Sequence, residues 1–220
     1  MGHDRGLTRR LLLSRSAAAV VVALLSPVDW PEVLLRDASA AGDDLVRDTV
    51  NGLVAFIVPG DDVYSRAQGV VVAGPGGVGA GAAPAVIEVL DFFASDAQGR
   101  PVPLSGMVAT LLNSAAQRVN PKASRGALLS AFARLSFAEK LEAYHDIDVD
   151  PALAAAQGQL ALLPTVVGLI TYSEAPVLDR ATGRLRRAPV GWRMSGYGGP
   201  ADGRAELRGY YRGRKQANGR

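Results

Sequence analysis

The sequence predicts an all-α fold: an irregular bundle of five or six helices with a long glycine-rich loop and an extended basic C-terminal tail. Apolar residues recur at three- and four-residue spacing through most of residues 43–172, which is the period of a helix with one buried face. The body has no useful strand pattern apart from Val70–Val72. A composition of 48% apolar and 20% charged residues is that of an ordinary domain with a packed core.

The first forty residues have the layout of an export signal. Thr8, Arg9 and Arg10 precede leucines, an apolar run follows over 17–25, and Ala38-Ser39-Ala40 has the small-x-small form of a cleavage site. The paired arginines resemble the twin-arginine signature, so we expect residues 1–40 to be a signal segment. The chain would then be exported in folded form to the periplasmic or extracellular face of the cell membrane.

This segment has two other interpretations. The stretch 8–25 could be a first buried helix of the domain. An uncleaved membrane anchor is disfavoured, because nine apolar residues fall short of the ~20 that span a bilayer.

The predicted domain, residues 41–178, begins with three helices. The first is capped by Asp43 or Asp44 and ends at Pro59-Gly60, before a loop over 60–82. The second begins near Pro84 and closes at 98–101, and the third runs from Leu104 or Ser105 to Arg118. Apolar side chains on one face of each helix predict a shared core.

Three more helical segments are predicted after Asn120-Pro121. One covers about 124–134, and Ser136 and Glu139 form a capping box for a short helix that ends at Tyr144. Asp150-Pro151 then opens an almost wholly apolar helix that extends to Tyr172, with a kink expected at Pro164. A helix that is apolar all round is usually the centre of a bundle.

The residue types exclude several kinds of active site. The chain has no cysteine, and only His145 remains after the signal segment, so zinc, iron–sulfur and covalent haem sites are disfavoured. No Gly-x-Ser-x-Gly motif supplies a nucleophilic serine. We therefore expect no catalytic, cofactor-binding or metal-binding residue in this chain.

Three short motifs could suggest chemistry, and each has a simpler interpretation. The stretch Val70–Gly79 contains Gly-x-Gly-x-x-Gly, but no second strand follows to complete a dinucleotide fold. The acids at 146, 148 and 150 resemble a calcium loop, yet Pro151 and Gln157 stand where glycine and glutamate are required. We interpret these acids as helix-end and N-cap residues, and Asp61-Asp62 as turn residues.

The C-terminal tail, residues 179–220, differs from the body in charge. Residues 41–179 carry 8 basic and 15 acidic side chains, net −7, whereas residues 180–220 carry 11 and 2, net +9. The tail also interleaves glycines with aromatic residues, and we expect it to be irregular up to a short helix at 205–211. Its candidate partner-contact residues are Trp192, Arg193, Tyr197, Tyr210 and Tyr211. The tail could equally cover the acidic helices of its own chain.

Three features together resemble the gluconate 2-dehydrogenase subunit 3 family. They are the twin-arginine leader, the helix end Ile57-Val58-Pro59-Gly60-Asp61-Asp62, and the segment from Gly191-Trp192 to Gly196-Tyr197-Gly198. The resemblance implies a small accessory subunit that binds a flavin-dependent oxidoreductase of the glucose-methanol-choline type. FAD would lie in that partner subunit, and a separate cytochrome subunit would receive the electrons.

Two functions of other classes stay open at this point. A freestanding module of the cell envelope could use the basic tail on anionic lipid or polymer, at the membrane periphery. An independent hydrolase or dehydrogenase is weakest, because no nucleophile, base and orienting group can be assembled. A nucleic-acid partner is not expected.

Overall fold

A computed structural model describes residues 32–95 and 99–198, and it confirms the all-α prediction. Within these ranges the chain forms more helices, and shorter ones, than the five or six expected. They are α1 (Glu32–Ala40), α2 (Asp43–Ile57), α3 (Val63–Ala67), α4 (Gly76–Ala80), α5 (Ala82–Phe93), α6 (Leu104–Val119), α7 (Ala131–Arg134), α8 (Phe137–Asp148), α9 (Gln157–Leu160), α10 (Leu163–Tyr172) and α11 (Val190–Ser195). Single 3₁₀ turns occupy Pro121–Ser124, Pro151–Leu153 and Ala175–Val177.

Two helices, α2 and α6, form the centre of the fold. Helix α2 packs on α5, α6 and α7, and α6 also packs on α1 and α8. Their facing sides bury leucine, valine and alanine almost completely, as the apolar spacing predicted. The fully buried side chains at this centre include Val50, Leu53, Val54, Met107, Val108, Leu112 and Phe132.

The predicted capping box is present at the start of α8. Ser136 N donates to Glu139 Oε2 at 2.8 Å, and Glu139 N donates to Ser136 Oγ at 3.4 Å. The Ser136 hydroxyl also donates to Glu139 Oε2 at 2.8 Å, and the bond from Ser136 N together with this one lowers the pKa of Glu139. The helix continues to Asp148, one turn beyond the expected end at Tyr144. The acids of the calcium-like stretch therefore fall on this helix and after it, where Asp150 caps a 3₁₀ turn.

The expected helix over 124–134 is wrong in extent. Only Ala131–Arg134 is α-helical, and Gly126 has φ +156°, outside helical values. Ser130 N donates to Asp48 on α2 and not to a preceding carbonyl. This long-range bond and the glycine explain why the local apolar pattern does not become a helix.

The long apolar helix predicted up to Tyr172 is also divided. Residues 151–172 form a 3₁₀ turn and then α9 and α10, and Pro164 lies in the first turn of α10. A proline is well tolerated there, because the first N–H groups of a helix have no partner within it. Pro164 therefore starts a helix where a kink was expected.

The glycine-rich stretch 60–82 contains two short helices where a loop was predicted. Asp62 caps α3 by accepting hydrogen bonds from Tyr64 N and Ser65 N, both at 2.9 Å, and Asp61 pairs with Arg66. Asp62 is therefore an N-cap and Asp61 lies in the bend before α3, which agrees with their interpretation as turn residues. Residues 70–72 are neither helix nor strand, and the glycines after them form most of α4.

Helical packing begins before residue 41, inside the stretch assigned to the signal segment. Helix α1 covers 32–40 and lies against α6, with Ala38 only 4% exposed. Residues 1–31, with Thr8, Arg9 and Arg10, lie outside the described part of the chain. No helix within residues 32–95 and 99–198 is long and apolar enough to cross a bilayer.

The described part of the tail is more regular than predicted. Leu178–Asp179 and Arg184–Leu185 form a two-stranded antiparallel hairpin, with Leu178 opposite Leu185, and α11 follows. The suggested helix at 205–211, with Tyr210 and Tyr211, lies outside the described residues.

Candidate cleft between the glycine-rich stretch and α11

A cleft of about 360 Å³ lies where the glycine-rich stretch meets α11. One wall is formed by the end of α2 and the segment 72–76, and the other by α11 together with the end of α10. The lining residues are Val58, Pro59, Val72, Ala73, Gly74, Pro75, Gly76, Tyr172, Val190, Arg193 and Met194. The fold therefore brings together two segments that are more than a hundred residues apart in sequence.

Close contact between two backbone segments holds the first wall. A Cβ at Gly60 would lie 2.6 Å from the backbone nitrogen of Gly76, so a larger residue cannot be accommodated without displacement. Asp61 N donates to Gly74 O at 2.9 Å, and Gly77 N donates to Val58 O at 2.9 Å. The glycines of this stretch thus allow two backbone segments to lie in direct contact.

The second wall depends on Gly191 and Trp192. A Cβ at Gly191 would lie 2.3 Å from the carbonyl oxygen of Tyr172, so α11 rests directly on the end of α10. Trp192 Nε1 donates to Glu174 Oε1 at 2.8 Å, and its ring meets Tyr197 edge-on with centroids 5.0 Å apart. Trp192 and Tyr197 therefore fix α11 in place and do not themselves line the cleft.

The chemistry of the cleft is apolar with one charge on its rim. Most of the lining side chains are aliphatic, aromatic or proline, and Arg193 is the single charged residue among them. Met194 is 71% exposed, and Val72 and Tyr172 are also exposed. Exposed apolar side chains around a concave surface are characteristic of sites that bind another protein or an apolar ligand.

We expect Gly191→Ala to release α11 while leaving the core folded. The added methyl group cannot fit against the Tyr172 carbonyl, but α11 lies outside the central packing of α2 on α6. Amide hydrogen exchange should accelerate in residues 190–195 and stay unchanged in α6. Equal protection of residues 190–195 in the variant and the unsubstituted chain would contradict the close contact.

Three of the five predicted contact residues, Trp192, Arg193 and Tyr197, lie at or beside the cleft. Sequence reasoning missed Met194 and Val190, which line it. Their signal was weak, because two apolar residues in a glycine- and arginine-rich tail form no periodic pattern. Met194 follows Arg193 on a helix of only six residues.

Arginines of the tail also bind the body of the same chain. Arg180 pairs with Glu88 on α5. Arg187 Nη2 donates to Gly79 O at 3.1 Å and Ala80 O at 2.8 Å, at the C-terminal end of α4. A guanidinium at the C-terminal end of a helix satisfies carbonyls that lack a partner within the helix. In its described part, the tail thus docks on its own body.

The most perturbed basic group of the described chain is Lys140 on α8, which is 0% exposed. Its Nζ donates to Gln68 Oε1 at 2.8 Å and Gly52 O at 3.2 Å, and it lies 5.3 Å from the centroid of the Phe132 ring. Burial lowers the pKa of Lys140 from 10.5 to about 7, against an opposing effect of Asp62. Lys140 does not line the cleft, so we assign it a structural role.

A second buried polar group joins α2 to the segment before α7. Asp48 Oδ1 accepts from the Tyr64 hydroxyl at 2.6 Å, and Asp48 Oδ2 accepts from Ser130 N at 2.8 Å. Partial burial and the neighbouring Asp48 raise the pKa of Tyr64 to about 12. Asn113 on α6 adds bonds to Thr49 and Ser130. These polar side chains thus find their hydrogen-bond partners within the chain, as expected for a structural network.

Within the described ranges, no cluster of three or more histidine, cysteine or acidic side chains is arranged to hold a metal ion. Comparisons of the chain with family models, curated proteins and solved structures find no match.

Proposed function

We propose that this protein is an exported, non-catalytic accessory subunit that binds and escorts a flavin-dependent oxidoreductase of the glucose-methanol-choline type. The flavin would be held by the partner, and the electrons would pass to a separate cytochrome subunit. Twin-arginine export suits this role, because a cofactor-loaded partner must fold before it crosses the membrane and could use the signal of its escort.

One observation carries the proposal. Apart from the leader, the family resemblance rests on two segments, 57–62 and 191–198, and they contribute opposite walls of the same cleft. Val58 and Pro59 come from the first segment, and Arg193 and Met194 come from the second. Sequence features that converge on one exposed surface favour a shared contact over unrelated packing roles.

The character of this surface supports a protein partner. Exposed aliphatic and aromatic residues surround a concavity, while Arg193 has no ion-pair partner among the described residues. Interfaces commonly combine a central apolar anchor with a polar rim, and arginine and methionine are enriched in them. The cleft would therefore receive an apolar side chain of the oxidoreductase, with a carboxylate of the partner next to Arg193.

Met194→Glu tests the cleft as the binding surface. The substitution places a charge at the most exposed apolar residue of the lining, so we expect binding to weaken by about 2 kcal/mol or more, roughly thirtyfold. The measurement is recovery of the flavoprotein, read by flavin absorbance, when tagged full-length chain is purified from its native host. Leu141→Glu is the matched control, because Leu141 is also exposed but lies on α8, away from the cleft.

The unsubstituted chain and Leu141→Glu should retain the flavoprotein, and Met194→Glu should lose it. Repeated recovery of the unsubstituted chain without any flavoprotein would reject the accessory role. Retention of the flavoprotein by Met194→Glu would place the contact elsewhere than the cleft.

The alternative of a freestanding envelope module is less favoured by the contacts of the tail. Arg180 and Arg187 already bind the body, which reduces the charge that the described tail offers to an anionic surface. Binding of the full-length chain to anionic vesicles that falls steeply with added salt would support this alternative. Unchanged binding after deletion of residues 180–220 would remove it.

A further inference from the structure

We infer that folding closes the predicted cleavage site at Ala38-Ser39-Ala40, so that the exported protein keeps helix α1 and has its N-terminus upstream of Glu32. The inference rests on the export part of the proposed function. It concerns a different surface, the contact of α1 with α6, and does not involve the cleft.

Helix α1 is part of the hydrophobic core. Ala38 is buried in it, and Leu34 and Leu35 are partly buried against it. On the opposite side of α1, Arg36 and Asp37 are exposed and form an ion pair with each other at 3.6 Å. An amphipathic helix that meets the core with its apolar side is a structural element of the domain.

The approach of α1 to α6 is unusually close because a glycine lies at the contact. A Cβ at Gly106 would lie 2.9 Å from the carbonyl oxygen of Ala38 and 3.4 Å from its Cβ. The position therefore requires glycine while α1 is docked, although glycine costs about 1 kcal/mol relative to alanine inside a helix. The contact thus accounts for a glycine in the first turn of α6.

The cleavage motif lies in the last turn of α1. Ala38 is buried and Ala40 is the final helical residue, while Ala41 N donates to Ala38 O at 3.2 Å. Proteases cut segments that are exposed and able to leave their regular structure, so a packed helical turn is a poor substrate until it opens. Ala40 itself is exposed, so in a chain that folds before export the protection of this bond would come from the helical turn and from the burial of Ala38.

The test is limited digestion of the full-length chain with elastase, which cuts after small residues, followed by mass spectrometry of the bond between Ala40 and Ala41. We expect this bond to be protected in the unsubstituted chain. Gly106→Val should displace α1 and increase cleavage there by about tenfold or more, since open populations govern such rates. Gly168→Val is the matched control, because a Cβ at Gly168 on α10 meets nothing within 4 Å.

A second variant covers the case in which Gly106→Val fails to fold. Leu34→Asp weakens the contact from the side of α1 and leaves α6 unaltered, and it should expose the same bond. Equal cleavage between Ala40 and Ala41 in the unsubstituted chain and both variants would overturn the inference.

The exported protein supplies an independent measurement that involves no partner. N-terminal sequencing of the material recovered outside the cytoplasm should give a start upstream of residue 32. A start at Ala41 would overturn the inference and leave the accessory role untouched. A start upstream of residue 32 without any recovery of the flavoprotein would support the inference about α1 and reject the accessory role.

Discussion

Raising the pH from about 7 to about 9.5 should stabilise the folded chain by about 3 kcal/mol, because the buried Lys140 is held by neutral groups. The amine contacts an amide oxygen, a backbone carbonyl and an aromatic ring, and no carboxylate touches it among the described residues. Burial thus disfavours its charged form in the folded state alone.

The direction in which stability changes with pH follows from the number of protons bound by the folded and unfolded chains. Folding lowers the pKa of Lys140 from 10.5 to about 7, so between these values the unfolded chain binds more protons and stability rises with pH. The stability gained from neutral Lys140 is fully present above its pKa in the unfolded chain, and it is lost as the pH falls through its pKa in the folded chain. Tyr64 acts in the opposite direction only above about pH 10, since folding raises its pKa to about 12.

Lys140→Met isolates this contribution. Methionine has similar length and no charge, so the free energy of unfolding should increase at neutral pH and become nearly independent of pH between about 7 and 9.5. Urea denaturation at several pH values measures both effects. A rise with pH that persists unchanged in the variant would assign the dependence to another group.

Gly52→Ala should destabilise the chain by about 2 kcal/mol or more, although the same change inside a helix normally stabilises. A Cβ at Gly52 would lie 2.9 Å from both Cα and Cβ of Ala133, so α2 and α7 would have to separate. The displacement would also strain the bond from Lys140 to the Gly52 carbonyl.

Gly168→Ala provides the matched comparison for Gly52→Ala. This glycine is also helical, and its added methyl group meets nothing within 4 Å, so we expect a gain of about 0.5–1 kcal/mol. Chemical denaturation of both variants should give opposite signs. A gain in both would contradict the close contact between α2 and α7.

The long helices could be predicted because their apolar spacing is regular and their ends carry strong local signals. Leu104–Val119 and the capping box at Ser136 are examples, and both match the sequence prediction closely. Such features depend on neighbours within a few residues, which a single sequence displays directly.

Features that depend on distant contacts were missed. Glycines have no side-chain pattern, so nothing in 76–80 indicates that this segment is a helix packed on α2. A lysine in an amphipathic helix is ordinarily solvated, and only the fold shows that Lys140 faces the core. The cleft depends on distant contacts in the same way, so the sequence does not predict it, although both segments that form its walls stand out in the sequence.

Gly60, Gly76 and Gly191 fix both walls of the cleft by direct backbone contact, and this has a consequence for association kinetics. Little conformational entropy is left to lose when a ligand segment enters, since the walls are already ordered in the free chain. We therefore expect lock-and-key recognition with a single bimolecular phase, whose observed rate increases linearly with partner concentration and does not saturate.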